Sequence, residues 1–302
     1  MLLDVADLPR DPLVGTRYRV VGFVGYGGSS DVFEATGPSG DRYAIKVLRT
    51  HHNNQEFATR LLQEGRILSS ISHANLIPVR EMGMTRDGRP FLAMPRLRGM
   101  SLREYLAQHG PLEPKTAALL LAGALDGLAE AHRRGIVHRD VKPGNIFITL
   151  DADEKPVRAL MFDFGIAKYA NAAAYRTTDD AVLGTPRYIA PEQILGGKLD
   201  GRVDVYAMGI VLFESIAARG PYDVLRVAEF NAHIRAHLSM TPRRLDDLSP
   251  ASSALARAIA RALEKAPGKR YSNAEAFADA LRRAVRGGSR RTVRTAVEGG
   301  LS

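Results

Sequence analysis

One run of eight residues constrains this chain more than any other: His138-Arg139-Asp140-Val141-Lys142-Pro143-Gly144-Asn145. It packs an acid, two cations and an amide between a helix-like segment, Pro114–Arg134, and a short apolar run, Ile146–Leu150. A loop of this composition can bring together a base for a hydroxyl proton (Asp140), a cation for a phosphate (Lys142) and an oxygen donor for a metal (Asn145). Taken alone, the same residues also suit a polar loop that merely caps a helix, so the rest of the chain has to decide.

Composition removes several alternatives. The chain has 302 residues, enough for one large domain or two lobes. It holds no cysteine, which excludes a disulfide framework, a thiolate metal site and a cysteine nucleophile. No apolar run approaches the ~18 residues of a membrane span; the longest are Ala117–Leu125 and Val205–Phe213. The opening MLLDVADLPRDP is acidic and unlike a signal peptide, so the chain reads as cytoplasmic, with residues 1–16 a leader. The formal net charge of +9 suits nucleic acid, an anionic membrane or an acidic ligand such as a nucleotide. Part of it is local: Arg282, Arg283, Arg286, Arg290, Arg291 and Arg294 crowd the C-terminal end, where residues 286–302 read as a basic, flexible tail.

In chain order, Tyr18–Val24 is rich in valine and predicts a strand. The Gly-rich turn that follows contains Gly25, Gly27 and Gly28, whose backbone can approach phosphate oxygens closely. A hairpin turn would look similar. A dinucleotide-binding fold would place a helix next, whereas Val32-Phe33-Glu34-Ala35 continues as a strand. Lys46 lies in the apolar strand Tyr43–Leu48, and a buried ammonium needs a partner. Phe57–Ser70 has helical periodicity, Ile77–Met84 is strand-like, and Phe91–Met94 is an apolar run ending at Pro95. Ser101–His109 predicts a helix with a capping box, Ser101 to Glu104. Pro114–Arg134 is apolar nearly all round, Leu119 included, and predicts the buried spine of a helical lobe. Asp163-Phe164-Gly165 follows the apolar stretch Val157–Phe162 and offers a carboxylate to a hard cation. Gly184–Glu192 and a last helix over about Asn273–Val285 close the pattern.

These motifs, in this order over residues 17–285, resemble the eukaryotic-like protein kinases, most of all their bacterial Ser/Thr members. The resemblance implies an α+β, bilobal protein-kinase fold: a small, mainly antiparallel β N-lobe with one helix (about 17–95) and a larger, mainly helical C-lobe (about 96–285). It implies ATP and Mg2+ as cofactors and transfer of the γ-phosphoryl group to Ser/Thr hydroxyls of protein substrates, the chain itself included, with no nucleic-acid partner. Asp140 and Lys142 are then catalytic, with Lys46 on the α- and β-phosphates and Glu64 as its ion-pair partner. Gly25, Gly27, Gly28, Val32, Ala44, Met94, Leu97 and Phe147 take the nucleotide, Leu97 supplying the hinge amide because Pro95 has none. Asn145 and Asp163 hold the metal. Thr185 belongs to the substrate strip, Asp204 anchors the catalytic loop, and Arg270 pairs with Glu192. Lys142, two residues after Asp140, points to the Ser/Thr subclass. One departure is Ser30, where the family usually has its third glycine.

The resemblance also implies a cationic pocket of Arg139, Lys168 and Arg60 that a phosphothreonine fills. The position three before Gly184, often phosphorylated in relatives, is Ala181 here; the segment's own residues predict autophosphorylation at Thr177 or Thr178, with Asp179 and Asp180 ordering it partially without that. Arg187 hints at tolerance for acidic residues in the substrate. A nucleotide-binding scaffold without activity and a small-molecule kinase stay as alternatives, against which stand the retained Lys46, Glu64, Asp140, Asn145 and Asp163 and the Gly184–Glu192 strip.

Overall fold

The computed structural model describes residues 12–26, 30–49, 55–164, 186–223 and 230–294. The chain divides into two compact units, residues 1–98 and 99–302.

The first unit is a five-stranded antiparallel sheet in the order β1-β2-β3-β5-β4, with β1 Arg19–Tyr26, β2 Ser30–Thr36, β3 Arg42–Leu48, β4 Glu81–Met84 and β5 Pro90–Pro95, and one helix, α1, Gln55–Ser69. Alternation along the strands splits the sheet into two faces. One face buries Val20, Phe23, Phe33, Ala35, Ile45, Val47, Phe91 and Ala93 in a core with Tyr18. α1 packs against the other face so closely that a Cβ on Gly65 would lie 2.5 Å from Leu92. The leader expected over residues 1–16 needs a correction. Residues 12–16 instead belong to this unit: Leu13 is 1% exposed inside the core, and Arg86 donates its backbone N–H to Val14 at 2.8 Å. An apolar side chain that can cover an open sheet face gains more there than in water. The expected strand Ile77–Met84 is shorter, beginning at Glu81.

The second unit opens with β6, Gly99–Ser101, and α2, Leu102–His109. The expected capping box is present: Ser101 Oγ accepts from the Glu104 amide at 3.2 Å, and the Ser101 amide donates to Glu104 Oε2 at 2.8 Å. α3, Pro114–Arg133, starts on a proline at its first turn, with Glu113 accepting from the Thr116 amide. β6, β7 (Ile146–Leu150) and β8 (Pro156–Met161) form a three-stranded antiparallel sheet. Then come α4 Pro191–Leu195, α5 Arg202–Ala217, α6 Phe230–Ser239, α7 Ser253–Ala262 and α8 Ala274–Arg294.

Two expectations change here. Leu119 on α3 is 47% exposed, and the helix buried on every side is α5. The last helix runs to Arg294 rather than stopping at Val285, so the tail begins as helix. α8 is tied to α3 by Arg282, whose guanidinium grips Asp126 with both terminal nitrogens. Among the described residues no helix is long and apolar enough to cross a membrane.

Candidate active site

Just past the end of α3 comes Gly135, whose φ of +75° only glycine adopts readily. The chain then passes over the N-terminal turn of α5, where the fully buried Asp204 waits. Its Oδ2 accepts from the His138 amide at 2.8 Å and from His132 Nε2 at 2.7 Å, and its Oδ1 accepts from the Arg139 amide at 2.8 Å. Three donors on one carboxylate offset its desolvation and fix the loop's backbone. Arg139 takes a left-handed conformation, φ +63°, which costs a non-glycine residue about 1–2 kcal/mol. A second clamp reaches the same residue from α4: Gln193 Nε2 donates to the Arg139 carbonyl at 3.3 Å, while Gln193 Oε1 accepts from the Ala190 amide at 3.0 Å.

His138 is buried beneath the loop. Its Nδ1 accepts from the Asp140 amide at 3.3 Å, so the ring proton sits on Nε2 and points to the Phe162 carbonyl at 3.1 Å. Burial pushes its pKa down against the pull of Asp204 and Asp140, which keeps the ring neutral. Phe164 is 1% exposed and packs on that ring, centroids 4.5 Å apart.

On this base the polar residues converge. Lys142 Nζ donates to Asp140 Oδ2 at 2.7 Å, both side chains half-buried. Asn145 closes a short 3-10 turn, Pro143–Asn145, and its Nδ2 donates to Asp140 Oδ2 at 3.0 Å, to the Asp140 carbonyl at 2.9 Å and to the Asp163 carbonyl at 3.4 Å. With Nδ2 so occupied, what Asn145 has left for a cation is its Oδ1. Asp163, at φ +57°, meets Asn145 through its backbone carbonyl and carries the second oxygen donor of the pair. An amide oxygen and a carboxylate are hard donors and fit a magnesium ion, which needs few protein ligands. The structure thus brings Asp140, Lys142 and Asn145 together in one hydrogen-bonded cluster, with the Asp163 backbone at its edge.

In the first unit the register sets Val32 opposite Lys46 and Lys46 opposite Leu92, with Ala44 opposite Met94 and Gly25 opposite Val32. Cross-strand partners share a face, so Val32, Ala44, Lys46 and Met94 lie together, half-buried, on the face away from the main core. Among the described residues nothing lies within 4 Å of where a Cβ on Gly25 would be, and its φ is not positive. Neither strain nor crowding by the described residues asks for glycine there, and the bare backbone fits a ligand's close approach. Leu97 is half-buried and its carbonyl accepts from Arg96 Nη1 at 2.6 Å. In the second unit Phe147 is half-buried on β7, edge-on to Phe162 at 6.5 Å.

Gly27, Gly28, Lys168, Thr177, Thr178, Thr185 and the side chains of Glu64 and Arg60 lie outside the described residues. Arg187 needs correction. Its Nη2 is bound to Asp223 at 2.6 Å and Glu214 at 3.1 Å, so its charge is spent inside the protein and not offered to a substrate. The Glu192–Arg270 pair is present, bidentate at 2.7 and 2.8 Å, with the Arg270 side chain fully buried. The clamps from His132 and Gln193 escaped the sequence reading. Gln193 carries a local signal, the capping spacing from Ala190; His132 carries none, because its partner is remote in sequence.

Comparison with known proteins agrees. The family described as protein kinase domain matches residues 18–281. The serine/threonine-protein kinase Pkn1 of Myxococcus xanthus is 38% identical over 97% of this chain and 42% of its own length. PknL of Mycobacterium tuberculosis is 37% identical over 82% of this chain and 59% of its own. The chain thus spans roughly half the length of the curated relatives it matches. A crystal structure of Rad53 residues 1–466 in complex with AMP-PNP superposes with a TM-score of 0.68 at 22% identity, covering 87% of this chain and 64% of that one, and shares the fold. On the strength of the matched domain and of a catalytic loop anchored as described, the chain belongs to the protein kinase family.

Proposed function

We propose that this chain is a Ser/Thr protein kinase that transfers the γ-phosphoryl group of ATP to hydroxyls of protein substrates and to its own activation segment, acting in the cytoplasm. The observation that carries the reading is the Asp140 carboxylate gripped by Lys142 at 2.7 Å and Asn145 at 3.0 Å, on a backbone pinned by Asp204. Such preorganisation is what a reaction governed by positioning and charge neutralisation requires. Asp140 orients the acceptor hydroxyl and takes its proton as the new P–O bond forms and the β–γ bridging oxygen leaves with ADP. Lys142 neutralises charge on the γ-phosphoryl group. Asn145 and Asp163 would hold Mg2+, which supplies charge neutralisation across the phosphates. Lys46 would hold the α- and β-phosphates, with Glu64 as its partner. Val32, Ala44, Met94, Leu97 and Phe147 would enclose the adenine, and Thr185 would line the acceptor strip.

For regulation, the supporting observation is that Arg139 Nε is buried with no acceptor among the described residues. A guanidinium in that position attracts an anion, and phosphorylated Thr177 or Thr178 would provide it, with Lys168 and Arg60 as further cations.

The test is transfer of label from ATP with Mg2+ by the intact chain and by Asp140→Asn, followed by site mapping. Label on the intact chain at Thr177 or Thr178 and a loss of at least about a hundredfold in the variant are expected. ATP binding without label on the chain or on a generic protein acceptor would move the reading to a scaffold or to a small-molecule acceptor.

A further inference from the structure

α7 and α8 pack side by side, and two adjoining cavities of about 380 and 370 Å³ lie along their seam. Arg261, Tyr271 and Arg283 line both, so the two form one groove. Its floor is shallow because small side chains face it: Ala258 from α7 and Ala280 from α8. Arg257 and Arg261 rise from α7, and Arg283 stands on the α8 side. Among the described residues no carboxylate lines either cavity.

The state of these arginines sets them apart from their neighbours. Arg202 at one end is held by Asp200, Arg270 by Glu192, and Arg282 by Asp126. Arg257, Arg261 and Arg283 make no ion pair among the described residues, and all three are exposed. Arg257 is within electrostatic reach of Asp246, but that carboxylate is already bound by Arg244 at 2.7 and 3.1 Å. Arg261 lies over the Tyr271 ring at 4.6 Å, and Tyr271 is itself stacked on Phe277 at 4.9 Å, so one fork of the groove is held by an aromatic base. Arg261 and Arg283 line both cavities together with Tyr271, which gathers the two guanidinium groups around that ring. Three like charges brought together repel unless an anion joins them.

We propose that the α7–α8 groove is a docking site for an extended acidic segment of a partner protein, with carboxylates at alternate positions gripped by Arg257 and Arg261 and a further one by Arg283. Four residues along a helix rise about 6 Å, and every second residue of an extended peptide is about 6.6 Å along. Arg257 and Arg261 are therefore spaced to meet side chains on one edge of such a peptide. Arginine forks bind carboxylates bidentately. The alanine floor accepts the intervening small or apolar side chains. The site uses none of the catalytic residues, so the proposal stands or falls apart from transfer activity.

The full chain is titrated against a fluorescein-labelled peptide of alternating glutamate and threonine, with anisotropy read at about 0.1 M salt. A peptide of the same composition with its glutamates in one block serves as comparison, as do phosphatidylserine vesicles. Arg257→Glu/Arg261→Glu is expected to weaken binding at least about tenfold, and the charge-matched Arg219→Glu/Arg235→Glu, exposed and outside the groove, by no more than about twofold. The block peptide is expected to bind several-fold more weakly than the alternating one. Should the glutamate pair lower the melting temperature, Arg257→Gln/Arg261→Gln gives the same comparison. Equal binding by wild type and the groove variants overturns the proposal. So does equal binding of the two peptides, which would mean general attraction of polyanions, or vesicle capture through Arg257 and Arg261 without peptide binding.

Discussion

Replacing Asp204 by asparagine tests how the catalytic loop is held. The carboxylate is fully buried and accepts three hydrogen bonds, two of them from the backbone amides immediately before Asp140. Asparagine keeps the shape but has one acceptor oxygen. The better rotamer leaves that oxygen to His138 and His132 and sets the new NH2 against the Arg139 amide. The loss is one charge-assisted hydrogen bond, about 1.5–3 kcal/mol. It falls on a left-handed residue, so part of the ~1–2 kcal/mol of backbone strain at Arg139 is released and the loop moves. A net destabilisation of about 2–3 kcal/mol is expected for Asp204→Asn. About 3–6 kcal/mol is expected for Asp204→Ala, which strands all three donors. Against a typical total of about 5–15 kcal/mol, asparagine leaves a folded protein to assay. Urea unfolding followed by circular dichroism gives the stability, and phosphoryl transfer gives kcat and KM for ATP. A kcat at least about tenfold lower with little change in KM is expected, because Asp140 moves and the nucleotide ligands do not. Stability within about 0.5 kcal/mol of wild type together with kcat within about twofold would refute the anchoring argument.

Three further perturbations probe the rest of the frame. Arg270→Met removes a guanidinium that binds Glu192 and also donates to the carbonyls of Glu264, Arg202 and Lys265; it should cost about 3–5 kcal/mol in urea unfolding. Leu13→Ala should cost about 2–5 kcal/mol, because Leu13 is sealed in the core of the first unit; no measurable cost would return residues 12–16 to the status of a leader. His237, buried and facing Lys265, His233, Tyr206 and Tyr222, has its pKa pushed down to about 3 chiefly by burial. Between about pH 6.5 and pH 3 the unfolded chain binds a proton there and the folded one does not, so this contribution is complete above that window and is lost as pH falls through it. His237→Gln should flatten the wild-type decline in stability over that range, as read from urea midpoints at each pH.

Much of the architecture was legible because its signals are local. The capping box at Ser101, the proline opening α3 and the glycine closing it are read from a few adjacent residues. What escaped depends on partners far along the chain. α3 and α5 are both apolar helices, and periodicity alone does not say which one the other helices surround. Leu119 came out exposed because α5, with nearly every residue buried, takes the central place. The stop after Val285 was read ahead of Gly287 and Gly288, yet a helix already fixed by packing of its first turns on α3 extends through two glycines at a modest cost per residue.

The site divides in the same way. Asp140, Lys142 and Asn145 sit within a few residues of one another, so their meeting follows from a single loop. Arg187 has equally local neighbours but a different fate: Glu214 and Asp223, supplied by a later helix and turn, consume the charge that the sequence appeared to offer. The arginines of α8 bring out the rule. In sequence Arg282 and Arg283 are one basic cluster. One residue is about 100° of helix, and that rotation puts Arg282 on Asp126 of α3 while Arg283 lines the groove with Arg257 and Arg261. A count of charges along a chain therefore overstates what a surface presents. The charges that matter for recognition are those which the fold leaves without a carboxylate, and only the packing of the helices says which they are.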